Sequence, residues 1–133
     1  MFASARRTYE SGTQAAPSGR ELEAAALFKA ARQLEACSRD WAAPGRAQRL
    51  NEALQYNQRL WTFFQAEIAA DDCELPLELR VNLLRLSGFI DKRTFELMAA
   101  PTAAGLHALI EIDRNIAAGL SARVETGAQA RTA

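Results

Sequence analysis

The sequence predicts an all-α protein: a compact bundle of four principal helices with a short N-terminal helix and a disordered C-terminal tail. Three observations support this fold class. Apolar residues recur at steps of three and four along four separate stretches of the chain. The four prolines and seven glycines stand mostly between those stretches. Hydrophobic residues make up 49% of the chain and alanine is abundant, which favours helices.

A chain of 133 residues has the length of one domain and can bury a substantial core. Residues 1–16 are interpreted as an N-terminal segment, in which Phe2, Ala5 and Tyr9 follow a faint helical spacing. The two aromatic side chains either dock on the core or contact a partner. Residues 17–120 are the helical domain, and residues 121–133, which are small and polar, are the predicted disordered tail.

The first principal helix is predicted to begin after Pro17, where Ser18 and Glu21 have the spacing of a capping box. Its end is indicated by Pro44 and Gly45. Its apolar face comprises Leu27, Ala30, Leu34, Cys37 and Trp41.

The second helix, predicted over residues 46–70, has the widest apolar face in the chain. The residues of that face are Leu50, Leu54, Trp61, Phe64 and Ile68, with Leu60 and Phe63 beside them. A face of this width requires cover from other helices or from a partner. Asn57 occupies one position within it, where a side-chain amide needs hydrogen-bond partners. It is either a satisfied core asparagine that fixes helix register or a contact to another chain.

The third helix, predicted over residues 77–100, has two apolar stripes. One contains Leu79, Leu83, Leu86, Ile90 and Leu97, and the second contains Leu84, Gly88, Asp91 and Phe95. A helix that is apolar on two faces is normally central to its bundle.

The last helix is predicted to begin at Pro101 and Thr102, with Thr102 as its N-cap. Its apolar face includes Asp113, beside Arg114. Because Asp91 and Arg114 are both charges flanked by apolar positions, we expect them to pair between the third and fourth principal helices.

The residue pattern does not indicate catalysis, a metal site or a cofactor. The single histidine, His107, has no nucleophile near it in sequence, and the spacing of Cys37 and Cys73 matches neither a metal site nor a redox motif. The formal net charge is zero, which argues against nucleic acid as a partner. Because neither a signal sequence nor a membrane-spanning run is evident, we expect a cytoplasmic protein that does not contact the membrane.

Three blocks of sequence, in order, resemble the FlaF family of alphaproteobacterial flagellar biosynthesis regulators. They contain YN and LWT at residues 56–62, FIDKRT at residues 89–94, and DRNIAAGL at residues 113–120. The resemblance covers roughly residues 22–120 and implies a cytoplasmic, non-enzymatic protein required for flagellin production and export, acting together with FlbT.

The resemblance thus implies flagellin and FlbT as partners, and a helical module with wide apolar faces suits flagellin binding as a chaperone-like adaptor. Two alternatives remain: an RNA-binding regulator of the flagellin message, and a homo-oligomeric structural protein. The sequence does not determine the oligomeric state. The candidate partner-binding or signature positions are Tyr56, Asn57, Trp61, Phe64, Phe89, Asp91, Arg93, Phe95, Arg114 and Asn115.

Overall fold

The computed structural model describes the backbone of residues 19–132 and the side chains of residues 19–122. It contains α1 (Gly19–Arg39), α2 (Arg46–Ala69), α3 (Leu77–Ala99) and α4 (His107–Thr132), with a 3-10 turn (Ala104–Leu106) before α4. The all-α class is confirmed, and the described part of the chain contains no strand. The expected N-terminal helix and the Ser18 cap lie outside the described residues.

Arginine side chains hold the two long interhelical connections in place. At the first, Gly45 has a φ of 81°, a left-handed conformation that glycine adopts without steric cost. Arg49 then donates hydrogen bonds back to the carbonyl oxygens of Asp40, at 3.3 Å, and Pro44. At the second, Arg80 donates to the carbonyl oxygens of Ile68 and Ala70, at 3.0 and 3.2 Å. Each arginine thereby joins a connecting segment to the helix that follows it.

Residues 121–132 continue α4, which differs from the disordered tail expected from the sequence. This stretch contains three alanines and a single glycine, Gly127. Elongating an existing helix also avoids the cost of nucleation, so moderate helix formers suffice to continue it. At the start of the element, the hydroxyl of Thr102 accepts a hydrogen bond from the Gly105 amide at 3.0 Å, so Thr102 caps the 3-10 turn rather than α4 itself.

The core lies where α1, α2 and α4 meet. Helix α1 packs most extensively on α4 and also on α2, while α3 packs on α2. Leu27 and Leu34 of α1 are completely buried, as are Leu106 and Leu109 at the start of the last helical segment. Trp61 is the largest fully buried side chain, so at this position the chain itself covers the apolar face of α2. Phe63, predicted to widen the same face, is instead 50% exposed.

Helix α3 is not central to the bundle, contrary to the prediction from its two apolar stripes. Only Ser87, Ile90, Thr94 and Leu97 are buried on it. Ser87 and Thr94 satisfy their hydroxyls within α3, by donating to the carbonyl oxygens of Leu84 and Ile90. Because α1, α2 and α4 bury their apolar faces against one another, only one face of α3 finds a covering neighbour.

Two glycines of the described chain differ sharply in the space around them, and alanine should have opposite effects at them. At Gly105 a Cβ atom would lie 2.6 Å from a methyl carbon of Leu97 and 2.7 Å from the Thr102 hydroxyl, whereas at Gly88 nothing lies within 4 Å. We predict that Gly105→Ala lowers the free energy of unfolding by about 1–3 kcal/mol through overpacking. Gly88→Ala should raise it by about 0.5–1 kcal/mol, because alanine is the better helix former.

Chemical denaturation of the two variants beside the parent chain measures both changes. Equal effects of the two substitutions would contradict this description of the contact between α3 and the 3-10 turn.

Candidate functional site

A buried carboxyl group links α2 to α4. The indole Nε1 of Trp61 donates a hydrogen bond to Oδ1 of Asp113 at 2.9 Å. The amide of Asn57 faces the same carboxyl group, with its nitrogen 2.7 Å from Oδ2 and 3.2 Å from Oδ1 when the amide is oriented to donate. All three side chains are buried. We call Asn57, Trp61 and Asp113 the carboxyl cluster.

Burial raises the pKa of Asp113 from 3.8 to about 7, although the hydrogen bond from Trp61 opposes this shift. Both of these hydrogen-bond donors are neutral, so neither provides the charge that would hold the pKa of a carboxyl group low. The Asn57 amide can adapt to either protonation state. Its nitrogen donates to the ionised carboxylate, and after a 180° rotation its oxygen accepts from the protonated acid.

The carboxyl cluster decides between the two interpretations of Asn57. The residue is a core asparagine whose partner lies on the helix opposite, so the structure gives it no surface for contact with another chain. Trp61 has the same role, and Phe64 packs against it edge to face with ring centroids 5.4 Å apart. These three predicted site residues therefore position helices.

The predicted pairing of Asp91 with Arg114 is wrong. Asp91 accepts a hydrogen bond from Nε2 of Gln65 on α2 at 2.9 Å. Arg114 forms an ion pair with Glu35 on α1. The reason lies in the packing, because α3 lies against α2 whereas α4 lies against α1, so the two charges face different helices.

The remaining predicted positions lie nearer the surface. Tyr56 is half-buried, with the ammonium group of Lys29 5.0 Å from its ring centre. Arg93 stacks over the ring of Phe89 at 5.3 Å and forms a 3.5 Å ion pair with Glu96. Asn115 is exposed. Together with the carboxyl cluster, these positions do not converge on one pocket; they are distributed over the faces of three helices.

Helix α3 carries an exposed apolar strip that follows a helical spacing. We define the α3 strip as Leu77, Val81, Leu84, Phe95 and Met98. Leu77 is 72% exposed and Phe95 is 61% exposed. With Gly88 and Asp91 between them, these positions advance by alternating steps of four and three residues. That is the spacing by which one helix packs along another, and exposed apolar patches of this kind mark interaction surfaces.

Of the residues of the α3 strip, only Phe95 is among the site residues predicted from the sequence. Leu84 and Phe95 belonged to the second predicted stripe, which was expected to be buried. The same alternation of steps extends to Leu77, Val81 and Met98, so the pattern was available. The pattern does not indicate whether the chain itself covers a second apolar face.

A groove of about 300 Å³ lies at the end of the bundle where α2 passes into α3. Its apolar floor and its charged rim come from all four helices and from the connection between α2 and α3. The lining residues are Arg20, Glu23, Trp61, Phe64, Glu67, Ile68, Asp72, Cys73, Glu74, Leu75, Leu83, Ile116 and Leu120. We call this feature the terminal groove. Four of these side chains are acidic and one, Arg20, is basic, so a bound segment would meet a negative rim.

Among residues 19–122, histidine, cysteine and acidic side chains do not gather in groups of three or more that could hold a metal ion. No helix described in the structure combines the length and apolar character needed to cross a membrane. Both cysteines are present as thiols, with Cys37 buried and Cys73 half-buried.

The raised pKa of Asp113 predicts a specific pH dependence of stability. Between pH 4 and pH 7 the folded chain retains a proton that the unfolded chain has lost. The contribution of Asp113 to the free energy of unfolding is therefore full below about pH 4 and is lost as the pH rises to about 7. Asp113→Asn retains an acceptor for Trp61 and an amide that can bond Asn57. We predict that the stability of this variant relative to the parent chain rises between pH 5 and pH 8, by at most about 2.5 kcal/mol.

Urea unfolding of the two proteins across this pH range measures the difference. Asp71→Asn, a substitution of the same type at an exposed carboxyl group outside the groove, is the matched control and should follow the parent chain. A constant difference between Asp113→Asn and the parent at all pH values would contradict the buried-carboxyl description.

Comparison with curated proteins and with solved structures gives no match to the chain. A family model described as flagellar protein FlaF matches residues 5–120. The match includes α1, α2 and α3 in full, the carboxyl cluster, the α3 strip and the terminal groove. It agrees with the resemblance of the three sequence blocks and extends it toward the N-terminus. The chain therefore belongs to the FlaF family of flagellar proteins.

Proposed function

We propose that this protein is a cytoplasmic, non-enzymatic adaptor that binds flagellin in the manner of a chaperone and, together with FlbT, promotes flagellin synthesis or secretion. Membership of a family of flagellar proteins supports a role in flagellar biosynthesis. The observation that carries the more specific proposal is the α3 strip, an apolar surface at helical spacing that the described part of the chain leaves exposed.

The chemistry of the α3 strip suits an amphipathic helix. Leu77, Leu84 and Phe95 follow one side of α3, so a helix laid alongside could bury apolar side chains against both ends of the strip, with Gly88 and Asp91 between them. Terminal segments of flagellin are amphipathic and disordered before assembly, as the resemblance to this export system implies. Ordering such a segment on binding costs free energy, which keeps the affinity moderate and makes release possible.

Charges of both signs flank the α3 strip. Arg85, Lys92, Glu78 and Glu96 are exposed along one side of it. A polar rim without a dominant sign favours orientation of a partner over long-range steering. We therefore expect flagellin binding to depend little on salt, because burial of apolar surface supplies most of the driving force.

The two alternative functions, RNA binding and homo-oligomerisation, require different surface properties. An RNA-binding regulator needs a basic face and shows steep salt dependence, whereas the chain has sixteen basic and sixteen acidic residues. A homo-oligomer would pair the α3 strip with its own copy, which would make the molecular mass depend on protein concentration.

Titration calorimetry with purified flagellin at low and high salt tests the proposal. Phe95→Ala should weaken flagellin binding by about tenfold, the change that corresponds to about 1.4 kcal/mol. Because the ring is 61% exposed, the thermal unfolding midpoint should stay close to that of the parent chain. The same titration with FlbT shows whether the second proposed partner also needs this side chain.

Phe63→Ala is the matched control. Phe63 is also a half-exposed phenylalanine, but it lies on α2, nearly opposite the side on which Gln65 contacts α3. Unchanged flagellin binding in Phe95→Ala would remove the α3 strip as the binding surface. No binding of flagellin or FlbT, combined with tight salt-sensitive binding of flagellin message, would favour the RNA-binding alternative. A concentration-dependent dimer that Phe95→Ala abolishes would favour the homo-oligomer.

A further inference from the structure

We propose that residues 2–9 of this same chain bind in the terminal groove, with Phe2 and Tyr9 against its apolar floor and Arg6 and Arg7 against its acidic rim. The groove is a different surface from the α3 strip, so this inference does not rest on the proposed function. Three independent observations support this occupant: the chemistry of the groove, the position at which the described chain begins, and the composition of the segment.

The terminal groove combines an apolar floor with an excess of acidic groups. Ile68, Leu83 and Leu120, from α2, α3 and α4, contribute to the floor. Asp72 and Glu74 are exposed on the connection between α2 and α3 at its rim. An occupant that complements this surface needs apolar side chains of substantial size and positive charge close beside them.

The described chain begins beside the groove. Gly19 is buried, and Arg20, the next residue, lines the groove. Nine residues separate Tyr9 from Gly19, and an extended chain of that length spans roughly 30 Å. The segment therefore reaches the groove without strain. Because it is tethered there, its effective concentration is on the order of millimolar and weak contacts are sufficient for occupancy.

The segment has the composition that the groove requires. Residues 1–18 contain two aromatic residues, Phe2 and Tyr9, two arginines, Arg6 and Arg7, and a single acid, Glu10. The pair Arg6-Arg7 thus meets a rim of opposite charge. The match to the flagellar family begins at residue 5, so both arginines and Tyr9 lie within the family domain rather than in an appendage to it.

Occupancy of the groove has a direct chemical consequence at Cys73. This thiol lines the groove and is half-buried, whereas Cys37 is buried in the core, where burial also raises the pKa of its thiol. A segment bound in the groove shields Cys73 from reagents.

The test is the rate at which Cys73 reacts with a neutral maleimide in the full-length protein, with a Cys73→Ser variant supplying the background from Cys37. We expect labelling to accelerate by about tenfold in Phe2→Ala/Tyr9→Ala, the factor that corresponds to about 1.4 kcal/mol of lost docking free energy. Arg6→Glu/Arg7→Glu should also accelerate it. The added negative charge by itself would disfavour the reactive thiolate, so acceleration in this variant reports loss of shielding.

Arg59→Glu/Arg85→Glu makes the same charge change at exposed positions that do not line the groove, and its labelling rate should stay at the parent value. Unchanged rates in both segment variants would overturn the proposal. So would acceleration matched by faster labelling of Cys37, because global unfolding would then be the cause. A parent rate that rises on dilution would also overturn it, because the occupant would then be a second copy of the chain.

Discussion

The hydrogen bonds that Trp61 and Asn57 direct at Asp113 set the arrangement of the bundle. A carboxyl group that is completely buried must find donors, and here both donors come from α2 while the acceptor lies on α4. Only one register of the two helices brings residues 57 and 61 opposite residue 113. Apolar contacts would tolerate a shift between these helices, but loss of either hydrogen bond would leave a buried polar group without a partner.

The place of α3 follows from this arrangement. The carboxyl cluster joins α2 to α4, and α3 packs chiefly on α2 and to a smaller extent against the 3-10 turn. Its entry is fixed by Arg80, which binds the carbonyl oxygens at the end of α2. The face toward α2 is covered, and the face that carries Leu77 and Phe95 is not. The same constraint that makes the core specific therefore leaves an apolar helix face available for a partner.

The local chemistry of the chain predicted the elements well, because prolines and glycines mark their ends. The predicted bounds of residues 46–70 and 77–100 agree with α2 and α3 to within one residue. The residue pairs between helices were harder to predict from the sequence, because they depend on how each helix is rotated and on which helix lies beside it. Asn57 was expected to be either a core amide or a contact to another chain, and its partner Asp113 is 56 residues away in the sequence. Asp91 was assigned to Arg114 instead of Gln65. Likewise, the sequence pattern of the second apolar face on α3 is the same whether the chain itself or a partner covers that face.

Amide hydrogen exchange of the full-length protein, alone and with flagellin, tests most directly whether α3 is the peripheral docking helix of this fold. In the protein alone, amides of α3 should exchange faster than those of α1 and of the first half of α4, because α3 is covered on one face only. Flagellin should slow exchange in α3 and leave α1 unchanged. Protection of α3 equal to that of α1 in the protein alone, or slowing by flagellin that spares α3, would contradict the account.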